Sequence, residues 1–318
     1  MNKIAILTSG GDSPGMNSAI RSVVRCALSK EVSVVGVSHG YQGLIEKRFC
    51  DLGRRDVSNI ITRGGTFLKT ARSKEFYSKK GRKKAHQNMS EKGIDGLVVI
   101  GGDGTFKGAL VFHQEFDFSV TGIPATIDND IAGTQETLGF DTALNTAMDA
   151  IDKIRDTAYS MDRIFLVEVM GRKSGAIAVH SALAGGAEDL LIPEMEQSVS
   201  SVLKKVQQGR EAGKKSWIII VAEGSGKTLT LAQELREHID DVRVTVIGHV
   251  QRGGSPSAFD RILGARMGSA AVQSLLQGKK HHAVGWFNDR PVTYPLQKAI
   301  QHKQEDFSEF IELVQILT

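Results

Sequence analysis

Cysteine is scarce in this chain, and its scarcity excludes two classes of protein at once. Only Cys26 and Cys50 occur among 318 residues, and neither stands at a Cys/His spacing that makes a zinc site. Two thiols do not build the disulfide framework of a small secreted domain, which points to a reducing compartment. Long apolar runs are missing too. No stretch is long enough to cross a bilayer, and the N-terminal run Ile4–Leu7 is too short for a signal peptide and ends in Gly10-Gly11, as a buried strand would. The expected location is therefore the cytoplasm, with no membrane partner. Nor is the charge one-sided: 40 Lys and Arg against 36 Asp and Glu leave +4. That surplus does not argue for nucleic acid and suits an enzyme with anionic ligands. No Pro- or Ser-rich linker and no internal repeat divides the chain.

What is present is a soluble, globular balance, 41% hydrophobic and 24% charged, over a length that suits two α/β domains. Short β-branched runs predict strands at Ile4–Leu7, Val32–Val37, Leu97–Ile100, Ile164–Val169, Trp217–Val221 and Val242–Ile247. Helical periodicity between them predicts helices from Met16, Thr142–Ala158, Val199–Glu211 and Arg261–Leu276. Alternating elements with fully apolar strands imply parallel sheets covered on both faces, an α/β class. A boundary near residue 139 with no linker implies two interleaved lobes. The charge run Lys79–Lys84 reads as a solvated helix start in preference to an anion patch.

Ligands of open α/β sheets bind beyond the carboxyl ends of strands, so the segments after each strand carry the weight. Ser9–Asn17, with Gly10, Gly11 and Gly15 before a helix, fits either a phosphate cradle or a tight βα turn. Gly101-Gly102-Asp103-Gly104-Thr105 adds a carboxylate suited to magnesium shared with phosphates, a pattern that NAD kinases and some lipid kinases also carry. Thr126-Ile127-Asp128-Asn129-Asp130 places two carboxylates two residues apart. They make sense with a metal or substrate hydroxyl between them, and the bland alternative is an Asx-rich turn. Cations stand at Arg163, Arg172 and Arg243, and His249 and Arg252 flank Val250-Gln251 before paired glycines, a grouping able to clamp a phosphate. Glu223–Thr228 imitates a P-loop, but Val221 occupies the position of its first glycine, so it reads as a turn.

Together LTSGGDSPGMN, RGGTFL, GIDGLVVIGGDGT, PATIDND, VEVMGR, IPE and TVIGHVQRGGSPSAFDR resemble the bacterial ATP-dependent 6-phosphofructokinases over nearly the whole chain. The resemblance implies two similar three-layer α/β (Rossmann-like) domains with mainly parallel sheets: 1–138 plus about 251–300 for ATP, and 139–250 plus about 301–318 for fructose 6-phosphate. It implies Asp128 as the base for the sugar hydroxyl, with Thr126 and Arg172 beside it in the reaction. ATP would be held by Gly11, Arg72, Ser73, Gly102, Asp103, Gly104 and Thr105, with Asp103 also on Mg2+. The sugar phosphate would meet Thr126, Ile127, Asp128, Asp130, Met170, Gly171, Arg172, Glu223, His249, Val250, Gln251 and Arg252. Arg163 and Arg243 would come from a neighbouring subunit, which implies a homotetramer. An ADP or phosphoenolpyruvate effector site would use Arg21, Arg25, Arg54, Arg155, Gly186, Ala187, Glu188, Lys214 and Lys215.

Donor choice follows from two positions. Pyrophosphate-using relatives carry Asp and Lys where this chain has Gly104 and Ala125, so ATP is the expected donor. The chain departs from the family at Tyr77, where a second ATP-site arginine is usual, and at Lys107, where a hydrophobic residue is usual. Ala212 and Ser216 replace a lysine and a histidine of the effector cluster. The competing readings are a pyrophosphate-dependent enzyme and a non-catalytic sugar-phosphate-binding regulator; an NAD or lipid kinase would need neither TIDND nor GHVQRGG.

Overall fold

The computed structural model describes residues 1–195, 198–303 and 305–318. In chain order the elements are β1 (Lys3–Ser9), α1 (Met16–Leu28), β2 (Ser33–Val37), α2 (Gly40–Ile45), β3 (Phe49–Leu52), α3 (Lys79–Glu91), β4 (Gly96–Gly101), α4 (Asp103–Phe116), β5 (Ser119–Pro124) and α5 (Phe140–Ser160). They continue with β6 (Ile164–Val169), α6 (Ala176–Ala184), β7 (Asp189–Leu191), α7 (Val199–Glu211), β8 (Trp217–Ala222), α8 (Thr228–Arg236) and β9 (Val242–Val246). The last are α9 (Ala258–Leu276), β10 (His281–Phe287), β11 (Arg290–Pro295), α10 (Leu296–Ala299) and α11 (Ser308–Ile316). Two compact units result: Met1–Thr142 with Arg252–Gln304, and Ala143–Gln251 with Glu305–Thr318.

The first unit is built on a seven-stranded sheet in the order β11-β10-β5-β4-β1-β2-β3. Its interior pairs are parallel, while β3 and β11 close the two edges antiparallel. Side chains alternate faces along a strand, and both faces of β1 and β4 are apolar. Ile4, Ile6, Val98 and Ile100 pack with α1 and α9 through Ile20, Val24, Leu263 and Met267. Ala5, Leu7, Leu97 and Val99 pack on the opposite side with Leu44, Met89 and Phe106. That arrangement explains why these strands read as unbroken hydrophobic runs.

Helices α1 and α9 come unusually close. A Cβ on Gly264 would lie 3.0 Å from the Ala19 nitrogen, and one on Gly268 would lie 2.8 Å from the Ala19 carbonyl. The Ser18 hydroxyl donates to the Arg261 carbonyl at 2.6 Å, which ties the helices along the same seam. At the start of α9 the fully buried Asp260 accepts from the Gly139 N–H at 2.7 Å, the Thr142 N–H at 2.9 Å and the Thr142 hydroxyl. It thereby supplies acceptors for orphan donors at the start of α5. Burial pushes its carboxyl up to about 6, against the pull of those hydrogen bonds.

The Lys79–Lys84 run does open a helix, capped by Ser78, whose hydroxyl accepts from the Gly81 N–H. One member departs from a solvated reading. Arg82 is largely covered, forks onto Glu115 with two bonds of 2.7 Å and donates to the Phe76 and Tyr77 carbonyls. This bidentate pair holds the Glu115 carboxyl below its ordinary range.

The second unit has a four-stranded parallel sheet, β7-β8-β6-β9. Ile164, Leu166, Ile219 and Val221 meet α7 and α8 through Val202, Val206, Leu231 and Leu235. Helix α6, apolar and buried along most of its length, packs against β8 and α11. Among the described residues no helix is long and apolar enough to cross a membrane.

Candidate active site

Parallel pairing of β1, β4 and β5 brings their carboxyl ends level, with Ser9 opposite Gly101 and Gly101 opposite Pro124. The Gly10–Asp12, Gly102–Thr105 and Thr126–Asp130 segments therefore emerge side by side. Contacts bind them together. The buried Thr105 hydroxyl donates to the Ser9 carbonyl at 2.9 Å, and the Ala125 N–H donates to the Gly101 carbonyl at 3.0 Å. A Cβ on Gly102 would sit 3.7 Å from the Thr126 Cβ. Asp103 and Asp128 thus belong to adjoining turns of one sheet end.

Gly102 caps α4 with extended backbone, and Asp103 and Gly104 are its first two residues. Unpaired N–H groups and the helix dipole favour an anion there. At the exposed Gly104 a Cβ would meet nothing within 4 Å, so the space beside the helix start is open. The Asp103 carboxylate is half exposed and pairs with Lys107 one turn on, at 2.8 Å. No group of three or more His, Cys, Asp or Glu able to cage an ion exists among the described residues. Asp103 instead fits the way Mg2+ binds, through one or two carboxylates with phosphate oxygens and waters completing the shell.

Gly11 lies under Arg252: a Cβ there would come 2.7 Å from the guanidinium Nη1. Two candidate positions from the first unit's two separate segments therefore adjoin. Arg72 is exposed on the loop before α3, while the neighbouring Ser73 hydroxyl donates to Gln42 Oε1 and accepts from the Phe76 N–H. Ser73 is engaged in shaping that loop.

The turn bearing Asp128 is tightly built. Asp128, Asn129 and Ile127 are all buried. The Asp128 N–H donates to Thr126 Oγ1 at 3.2 Å, and the Thr137 hydroxyl donates to the Thr126 carbonyl at 2.6 Å. Asn129 sits in left-handed backbone, φ +49°, a conformation Asn tolerates better than most residues. Its side-chain amide donates to the Gln135 carbonyl at 3.0 Å.

In the second unit, Met170, Gly171 and Arg172 follow β6, and Glu223 follows β8, the neighbouring parallel strand. Gly171 has φ +144°, and a Cβ on it would lie 2.2 Å from the Ser174 carbonyl. The Glu223 carboxylate accepts from the Arg172 N–H at 2.9 Å. A Cβ on Gly224 would stand only 1.6 Å from the Arg172 carbonyl. The glycine that imitates a P-loop is thus required by close backbone approach, and the Arg172 side chain is left exposed. Gln251, fully buried, accepts from the Met170 N–H at 2.8 Å, while His249 and Val250 are exposed.

Two candidates are not brought to this end of the sheet. Arg163 precedes β6 and Arg243 is the second residue of β9, so both lie at the amino ends of their strands, where they share Asp241. A six-residue strand separates the two ends by roughly 20 Å. Within one chain these arginines do not join Met170–Arg172.

The effector candidates fall into separate groups. Arg21 and Arg25 are partly buried on α1, and Arg25 donates to the Arg54 carbonyl at 3.4 Å. In the second unit Arg155 donates to the Gly185 and Gly186 carbonyls at 2.6 Å, beside the buried Ala187. Glu188 faces both Arg155 at 3.6 Å and Lys214 at 3.3 Å. Lys215 turns instead to Asp162 at 3.4 Å.

Comparison with known proteins decides the family. The phosphofructokinase family matches residues 3–275. The chain belongs to the phosphofructokinase family. It is 49% identical to the ATP-dependent 6-phosphofructokinase 1 of Thermus thermophilus, across 100% of this chain and 99% of that one. Among solved structures, phosphofructokinase from Saccharomyces cerevisiae superposes with a TM-score of 0.90 at 35% identity, covering 94% of this chain. This chain spans only 45% of the yeast chain. A pyrophosphate-dependent phosphofructokinase from Marinobacter aquaeolei gives a TM-score of 0.86 at 22% identity, covering 100% of this chain and 91% of that one. That last likeness carries the two-domain α/β fold alone.

The roles of other residues of this family member had no local signature in the sequence. Lys303 acts through partners 168 and 174 residues away, so nothing in its immediate neighbours marks it. Asp260, though inside a motif, shows its role only through Gly139 and Thr142.

Proposed function

We propose that this chain is an ATP-dependent 6-phosphofructokinase, transferring the γ-phosphoryl group of ATP to the C1 hydroxyl of fructose 6-phosphate in the cytoplasm, in glycolysis. The observation that carries the reading is the adjoining pair of turns in which Asp103 opens α4 and Asp128 follows β5. Phosphoryl transfer needs positioning, charge neutralisation and a proton acceptor, and little covalent help from the protein. Asp128 is the proposed acceptor of the hydroxyl proton, with Thr126 and Ile127 shaping its turn and Asp130 beside it. The Gly102–Thr105 helix start, Gly11, Arg72 and Ser73 are proposed to hold ATP. Asp103 is the proposed protein ligand of Mg2+, which when bound would neutralise phosphate charge. Met170–Arg172, Glu223, His249–Gln251 and Arg252 are assigned to the sugar phosphate, Arg172 also to the transferring group.

Arg163 and Arg243, held at the amino ends of their strands, suit a neighbouring subunit's site, and with them we propose a homotetramer. The Arg21, Arg25, Arg54, Arg155 and Glu188 groups, with Gly186, Ala187, Lys214 and Lys215, are proposed as an effector site for ADP or phosphoenolpyruvate. The ATP domain is assigned to 1–138 plus about 251–300, and the sugar-phosphate domain to the remainder.

The test is a donor-by-acceptor matrix, ATP and pyrophosphate against fructose 6-phosphate and related sugar phosphates, with Asp128→Asn alongside. ATP with fructose 6-phosphate should dominate. A carboxylate base contributes about 10²–10⁴-fold, so Asp128→Asn should lower kcat by roughly that factor and leave the KM for fructose 6-phosphate close to that of the parent. A clear preference for pyrophosphate, or full turnover by the variant, refutes the reading.

A further inference from the structure

The turn bearing Asp128 is completed by a residue remote in sequence. Lys303 Nζ donates to the Asn129 carbonyl at 2.9 Å and to the Gln135 carbonyl at 3.5 Å. Its neighbour His302 pairs with Ile131 in an isolated antiparallel bridge. The segment after α10 is therefore fastened to the Asp128–Gln135 loop by one backbone pairing and one ammonium.

The two halves of that loop are secured differently. The 134–137 half is bound to the β10–β11 hairpin: Thr134 Oγ1 accepts from the Trp286 N–H at 2.9 Å, and Gln135 Oε1 accepts from the Asn288 N–H at 3.0 Å. The 128–131 half contains the strained Asn129, φ +49°. A non-glycine residue held there costs on the order of 1 kcal/mol and persists only where its surroundings over-determine it. The Asn129 side chain bonds within the loop, to Gln135 and Thr137. Its carbonyl receives the Lys303 charge, and a charge-assisted bond is roughly twice as strong as a neutral one.

We propose that Lys303 is a positioning residue for phosphoryl transfer: by clamping the left-handed Asn129 turn it sets the direction of the Asp128 carboxylate. The role rests on Asp128 being the base. Lys303 takes no part in binding either substrate. When the clamp is lost, Asn129 relaxes toward ordinary backbone, and the carboxylate one residue earlier swings with it. A displacement near 1 Å at a reacting group lowers the rate by about 10²-fold.

The experiment compares parent, Lys303→Met, Lys303→Gln, Lys303→Arg and Asp128→Asn as full-length proteins. It measures kcat, both KM values, the stoichiometry of fructose 6-phosphate binding by calorimetry, and Tm. Methionine and glutamine should lower kcat by about 10–100-fold. Both KM values should stay within about twofold, binding stoichiometry should remain full, and arginine, which can donate to the same carbonyls, should recover most of the turnover. A merely structural lysine would lower Tm and binding stoichiometry in step with activity, and that outcome overturns the proposal. So does parental kcat in the methionine and glutamine variants, or an arginine variant as slow as they are. If Asp128→Asn is inactive while the Lys303 variants are normal, only the positioning role fails. If Asp128→Asn retains full turnover, the base assignment falls and takes the positioning role with it.

Discussion

Gly104→Asp separates nucleotide recognition from folding, because the two effects have opposite signs at this position. Gly104 is the second residue of α4, and a side chain there enters open space. Replacing a helical glycine by aspartate gains about 0.3 kcal/mol in propensity, and a carboxylate in the first turn adds about 0.3–1 kcal/mol through the helix dipole. The variant should therefore be as stable as the parent, or more so. A bound triphosphate reverses the sign. One carboxylate about 4 Å from a phosphate charge, at an effective dielectric near 20, repels it by about 4 kcal/mol, which is about 10³-fold in affinity. The assay is the KM for ATP at saturating fructose 6-phosphate, with Gly104→Ala as the neutral control and Tm recorded for each protein. Expected are a KM for ATP raised by about 10²–10³-fold in the Asp variant, a far smaller rise for Ala, and no loss of Tm. A KM for ATP within about threefold of the parent, in a folded Asp variant, would show that no phosphate comes near Gly104 and would refute the reasoning.

Three further outcomes follow from the same geometry. Asp260 has its folded-state carboxyl raised to about 6 from an ordinary 3.8, so its ionised form is disfavoured on folding. The stability linked to this group is present below pH 4 and is lost as pH rises through 6. Relative to Asp260→Asn, the wild type should lose about 3 kcal/mol between pH 4 and pH 7. Urea unfolding followed by Trp286 in a Trp217→Phe background checks this, and a difference independent of pH contradicts it. Lys107→Leu removes the ion pair on Asp103. An exposed pair is worth at most about 1 kcal/mol, so the free Mg2+ giving half-maximal rate should fall by up to about fivefold, and a rise would place Lys107 on the nucleotide instead. Gly224→Ala has no room against the Arg172 carbonyl, 1.6 Å from the added Cβ. The KM for fructose 6-phosphate should rise at least about tenfold with the KM for ATP unchanged, and unaltered sugar-phosphate kinetics would detach the Arg172 turn from that substrate.

What could be read from the chain was whatever a short stretch of backbone demands of its own residues. Ile4–Leu7 and Leu97–Ile100 are buried on both faces and had to be apolar at every position, so their strands stood out. The antiparallel edges did not: Phe49–Leu52 buries only Leu52 fully and carries the adjacent Cys50 and Asp51 exposed, which leaves no continuous apolar signal. Glycine patterns marked turns, yet their causes emerged only in three dimensions. Gly224 imitates phosphate binding and in fact admits a neighbouring carbonyl, while Gly104 lies in open space.

Charged residues were the least legible, because a cation's partner is set by the register of distant elements and not by its neighbours in sequence. Arg82 lies within a run that looked uniformly solvated and is the one that forks onto Glu115, 33 residues away. Arg163 and Arg243 stand next to strands, as Arg172 does, but precede or begin theirs while Arg172 follows, and that difference in direction carries them to the far end of the sheet. Lys303 sits 174 residues from the carbonyl it grips. Motif residues near Asp128 are constrained locally by a turn that few side chains tolerate; the groups that aim this turn are constrained only by reach and charge. Substitution should therefore divide them. Asp128→Asn aside, which removes only the proton acceptor, changes within 126–130 should damage binding and turnover together, whereas changes at a remote clamp such as Lys303 should act on turnover alone.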